Sequence, residues 1–132
     1  MILYLLVGLG GALGSMARFW LSATIAGPMG EAFPWSTFWV NVTGSFLIGF
    51  VATIAISHGR PFLDTTARQT FMSGLLGGYT TFSAFSLQTF SLARGGEWWR
   101  AGGNVAVSVV ACLVAVWLGY LLAALLNAHR GA

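Results

Sequence analysis

The sequence has no lysine, only three acidic residues and a single cysteine, Cys112. Charged residues make up 7% of its 132 positions, against roughly 25% in a soluble domain. Nine charged side chains cannot cover a globular surface, which excludes a water-soluble monomer. Intrinsic disorder is excluded as well, because it requires high charge and low hydrophobicity and this chain is 57% apolar. One cysteine rules out an intrachain disulfide and any cysteine-based zinc site. The net charge of +3 comes from six arginines scattered singly at the ends of apolar runs. A nucleic-acid face would need them clustered. What remains is an integral membrane protein.

A helix needs about 20 predominantly apolar residues to cross the hydrocarbon core. Four stretches qualify, at about 2–26, 35–57, 67–93 and 101–128, in one transmembrane domain covering 1–132. Arg18 is the sole charge within the first, and Arg68 marks the entry of the third. The N-terminal Met-Ile-Leu-Tyr run lacks the basic region of a signal peptide, so the first run is expected to remain as a span. The connections hold Gly or Pro beside a charge: Gly27-Pro28-Met29-Gly30 with Glu31 and Pro34, His58-Gly59-Arg60-Pro61, and Arg94-Gly95-Gly96-Glu97. Trp35, Trp39, Trp98 and Trp99 lie near span ends, where indole rings favour the headgroup region. The expected fold is an all-α membrane protein of four helices.

The third span contains Gly77-Gly78-Tyr79-Thr80-Thr81. Paired glycines followed by two threonines weaken a helix at mid-span. A break there frees backbone carbonyls, tolerated at membrane depth only inside protein or beside a cavity, and such carbonyls can coordinate a small cation. The alternative is close packing, with Gly74 and Gly78 forming a small-xxx-small pair. In the first span Gly8, Gly11 and Ser15 share a face suited to a close helix contact, within the chain or between subunits.

Polar residues fall at helical spacing in two other spans: Thr37, Asn41 and Ser45 in the second, and Asn104, Ser108 and Cys112 in the fourth. Each stripe serves either inter-helical hydrogen bonding or a polar conduit. The sign of a conducted ion follows from the groups on offer. No carboxylate lies within a span, whereas cation and proton paths use carboxylates or carbonyl rings. Hydroxyls and amides offer donors instead. Arg18 either snorkels to the interface or makes a vestibule positive and concentrates anions. Phe82 and Phe85, at i and i+3, either pack or turn their positive ring edges toward an anion.

With four spans, Arg60, Arg68 and Arg130 lie on one side and Arg94 and Arg100 on the other, with Arg18 joining them if it reaches that interface. The positive-inside rule needs an excess, and this balance predicts insertion in both orientations. Four helices enclose little volume alone, so the reading is an antiparallel, dual-topology homodimer with its site between subunits.

Three segments carry a family resemblance. Gly74-Leu-Leu-Gly-Gly-Tyr-Thr-Thr-Phe-Ser-Ala-Phe-Ser86, Asn41-Val-Thr-Gly-Ser-Phe-Leu-Ile-Gly49 and Gly10-Gly-Ala-Leu-Gly-Ser-Met-Ala-Arg18 resemble motifs of the Fluc (CrcB) fluoride channels. The resemblance covers nearly the whole chain, in order. It implies a dual-topology homodimer in the cell (inner or plasma) membrane with two anion pores, passing fluoride outward down its gradient and relieving toxicity, with no catalysis. Phe82 and Phe85 match the phenylalanines whose edges contact fluoride. Asn41 matches the pore asparagine, Thr37 and Ser108 match hydroxyls of the path, and Arg18 matches the arginine near the vestibule. Gly77 and Thr80 match the break whose carbonyls hold a structural sodium ion at the dimer interface. Asn104, in the same fourth-span lining, and Cys112 depart from the family pattern, where some members have Tyr and Ser.

Two other classes compete. Small multidrug exporters are also four-span dual-topology dimers but depend on a membrane-embedded glutamate, and none occurs here. A structural subunit of a larger membrane complex would function only with its partner.

Overall fold

The computed structural model describes residues 1–29, 33–57, 60, 61 and 63–130. Of the expected loop residues, Gly30, Glu31, His58 and Gly59 lie outside the described residues, as do the side chains of Arg60 and Arg130. Helix α1 spans Ile2–Met29 and passes the expected end at residue 26. Helix α2, Trp35–Ile54, follows Pro34 and stops before the expected residue 57. Ile56–Ser57 (β1) instead pairs antiparallel with Arg60–Pro61 (β2) in a two-residue ladder. Asp64 then caps α3 (Thr65–Gln69), its side chain accepting the Ala67 N–H at 2.7 Å. A π-helical stretch, Thr70–Leu76, and a final turn, α4 (Gly77–Tyr79), complete the first half of the third segment. Helix α5 is Phe82–Arg94, and α6 runs over Trp98–Arg130. Between them Gly96 turns the chain with φ +81°, a conformation that glycine adopts without a Cβ penalty. Arg100 pairs with Glu97 at the start of α6.

Among the described residues, three uninterrupted helices are long and apolar enough to cross a membrane, within Ile2–Ala26, Trp35–Ile54 and Trp98–His129. The segment 65–94 is interrupted, and neither half reaches the length that a crossing requires. Large apolar side chains such as Leu5, Leu9, Leu13, Leu113 and Trp117 are exposed along α1 and α6. That surface suits hydrocarbon rather than water.

The helices meet in two main layers. α1 lies against the π-helical stretch and α4, while α2 lies along α6. Close backbone approach sets both contacts. A Cβ on Gly49 would overlap the Val116 carbonyl, and one on Gly119 would overlap the Phe46 carbonyl. On α1 the close contact is made within the chain, by Gly10, Gly11 and Gly14. A Cβ on Gly8, expected on the contact face, would meet nothing within 4 Å in this chain.

The interruption sits one turn later than the glycine pair suggested. Gly77 keeps helical angles (φ −64°, ψ −37°), whereas Thr80 (φ −77°, ψ 158°) and Thr81 (φ −150°, ψ 107°) are extended. Gly74 and Gly78 do the packing: a Cβ on Gly78 would lie 2.5 Å from the Gly11 carbonyl oxygen, and one on Gly74 2.9 Å from that of Val7. An interruption and a close packing therefore both occur in this segment, at different residues. The break falls on two β-branched residues with weaker helix propensity. Thr81 is also a favoured N-cap type, and its hydroxyl accepts the Ala84 N–H at 3.2 Å to start α5.

Candidate functional site

The break opens beside a groove of about 360 Å³ between α2, α5 and α6. Asn41 and Ser45 line it from α2, Phe82 and Phe85 from the first turn of α5, and Ser108 and Cys112 from α6; Thr80 lines it as well. The structure thus brings together Asn41, Phe82, Phe85 and Ser108, which lie on three separate expected spans. Among the described residues, no carboxylate lines the groove. The N-terminus of α5, with its unpaired N–H groups and positive dipole end, borders it. The ring centroids of Phe82 and Phe85 are 5.4 Å apart at an interplanar angle of 44°. Phe82 is 77% exposed, so the groove opens onto the protein surface there.

Asn41 holds the break. Its Nδ2 donates to the Thr81 carbonyl at 3.0 Å and its Oδ1 accepts the Thr81 N–H at 2.8 Å. In an unbroken helix that N–H would serve the Gly77 carbonyl. The carboxamide replaces a missing peptide partner on both sides of Thr81, and its second N–H hydrogen is left for the groove.

Three other expected residues do not line the groove. Thr37 is buried one turn along α2 from Asn41. Arg18 lies on the opposite side of the break, where its Nε donates to the Gly78 carbonyl at 3.2 Å; Ser15 Oγ donates to the same oxygen at 3.4 Å. The guanidinium thus sits at the negative C-terminal end of α4. Asn104 is 1% exposed and stands behind Ser108. Ser108 Oγ donates to Asn104 Oδ1 at 3.2 Å, Asn104 Nδ2 donates to Thr89 Oγ1 at 2.8 Å, and Thr89 Oγ1 donates to the Phe85 carbonyl at 2.8 Å.

Gly77 is exposed and off the groove, while Thr80 is half-buried. Because Asn41 takes the Thr81 N–H, the Gly77 carbonyl is released from helical pairing. Thr80 N and Thr80 Oγ1 both turn back to the Leu76 carbonyl.

Sequence reasoning missed Thr81 and Thr89. Thr81 was visible only as part of a helix-weakening pair. Thr89 continues the face of Phe82 and Phe85 at i+7, and that spacing was the available signal. A larger cleft of about 520 Å³ lies at the helix ends near Trp35, Gln88 and Glu97; none of the expected site residues lines it.

Residues 5–120 match the sequence profile of the family described as CrcB-like protein, Camphor Resistance (CrcB). Among curated relatives, a protein of Opitutus terrae called "Fluoride-specific ion channel FluC" is 57% identical over 99% of each chain. Proteins of the same name from Methylocella silvestris (52% identical over 98% of each chain) and Rhodospirillum rubrum (53% identical over 94% of this chain and 96% of that one) are also similar.

Proposed function

The chain belongs to the CrcB-like family, and from that premise we propose that it is a fluoride-specific ion channel of the cell membrane, passing the anion outward passively and so relieving fluoride toxicity. The family is one of ion channels, which is not an enzyme class. The single observation that carries the reading is the groove: the Asn41 carboxamide, the Ser108 hydroxyl, two phenyl rings and a helix N-terminus line it, with no carboxylate among them. Fluoride is small and strongly hydrated, so a dry path must replace its water with close donors. Asn41 supplies its second N–H and Ser108 its hydroxyl. Phe82 and Phe85 supply the positive CH rims of their rings. Arg18 acts at a distance, raising the potential of the break from behind, and Asn104 supports Ser108 rather than meeting the ion.

The chain works as an antiparallel homodimer of four-span subunits, with 65–94 as the third, broken crossing. Two features support this: the groove opens at the surface beside Phe82 and needs a cover, and the arginines are nearly balanced between the two sides. The Gly77 and Thr80 carbonyls suit a structural sodium ion shared with a second copy, since hard oxygen donors without a carboxylate match a monovalent cation. Bound there, the ion would lend positive charge to the dimer centre.

Cells stripped of their own fluoride exporter should grow in fluoride when they express this chain, and growth no better than with empty vector would count against the function. A tag at the C-terminus should be reachable from both faces of the cell membrane. A single accessible face would contradict dual topology.

A further inference from the structure

The chain Ser108–Asn104–Thr89–Phe85 runs in one direction. Each group donates to the next, and the Ser108 proton points away from the groove. An anion beside Ser108 would then face lone pairs, which repel it. The oxygen and nitrogen of a carboxamide can exchange places without moving any heavy atom of its neighbours. With Asn104 turned over, its N–H donates to Ser108 Oγ and its oxygen accepts from the Thr89 hydroxyl. The Ser108 O–H is released into the groove, and it is polarised by the bond its oxygen now accepts. The Phe85 carbonyl keeps its helical partner.

We propose that Asn104 is a positioning residue that sets the direction of the Ser108 hydroxyl, and that an anion in the groove reverses the whole chain. This rests on the groove being the anion's path. The count of bonds gives the switch its sense. The first orientation makes three hydrogen bonds within the protein and is favoured when the groove is empty. The second makes two and offers the third to the anion, so a strong hydrogen-bond acceptor selects it. Asn104 can do this because it is fully buried, reached by Ser108 and Thr89 but not by the ion. A residue with a donor alone or an acceptor alone could not serve both orientations.

Two measurements test it. In liposomes, Asn104→Leu leaves Ser108 to bond back to the carbonyl of residue 104, and fluoride efflux should fall about tenfold, as expected for one charge-assisted hydrogen bond. In a Ser108→Ala background the same change should have no further effect; additive losses would overturn the proposal. The second measurement uses the unaltered protein labelled with nitrogen-15 at asparagine, titrated with sodium fluoride. Asn41 reports an anion in the groove, Asn104 reports the relay, and Asn127, which donates to the Thr53 carbonyl at 3.2 Å, is the control. The Asn41 and Asn104 side-chain signals should move together while Asn127 stays, and the Asn104 shift should vanish in Ser108→Ala. Movement of Asn41 with Asn104 still would overturn the relay and leave the groove reading standing. Asn41 and Asn104 both still, with no efflux, would overturn both.

Discussion

Asn41→Asp should lower fluoride efflux on the order of a thousandfold while the helices stay assembled. A unit negative charge about 4 Å from a permeating anion costs about 4 kcal/mol at an effective dielectric of 20, and each 1.36 kcal/mol is tenfold in rate. The substitution also strikes the clamp. Aspartate still accepts the Thr81 N–H that Asn41 now receives at 2.8 Å, but it turns an oxygen toward the Thr81 carbonyl where an N–H donates at 3.0 Å. Asn41→Leu separates the two effects: it adds no charge but removes both clamp bonds. It should therefore lose stability along with flux. Efflux from purified variants in liposomes, with size-exclusion profiles as the folding control, checks both. Wild-type rates for Asn41→Asp would remove Asn41 from the path.

Phe82→Ile and Phe85→Ile should each reduce efflux by about tenfold or more in a protein that still assembles. Volume and apolarity are roughly kept, so a packing role would predict a modest loss of stability and nearly intact conduction. Exposure argues against packing for Phe82 in particular: a ring that is 77% exposed contributes little to the chain's own core. Isoleucine removes the positive CH rim, and its aliphatic carbons carry no comparable quadrupole. The two rings sit one helical turn apart along the same groove, so in the proposed path each would act on a successive position of the ion. Rates near wild type in both variants would return them to packing, or to covering by a second copy.

The membrane class and the helices were legible because composition and hydropathy act over long windows. Nine charges in 132 residues leave few other choices, and runs of apolar residues mark the helices to within a few positions. The ends were less legible. Helix α2 yields at Ile54, and Ile56 and Ser57 pair instead with Pro61 and Arg60, a strand pairing that hydropathy does not encode. The break was legible in kind but displaced, since glycine both weakens a helix and lets another approach. At Gly78 the second role won, because Gly11 lies against it. Side-chain spacing put Asn41 and Ser108 each on a polar helix face, and the fold set them in one groove with Phe82 and Phe85. Spacing could not separate a residue on the wall from one behind it. Asn104 and Ser108 share a stripe, yet one is sealed from the groove by the other. Arg18 was also ambiguous: its charge suggested a vestibule, but its bond to the Gly78 carbonyl depends on α1 crossing the break.

The most direct test of the central claim is fluoride efflux from liposomes that contain only this purified chain, followed with a fluoride electrode and with potassium permeability supplied so that charge can balance. The account predicts rapid release of trapped fluoride on that supply, with trapped chloride retained under the same conditions. Fluoride held as firmly as in protein-free liposomes, or chloride released as fast as fluoride, would contradict it.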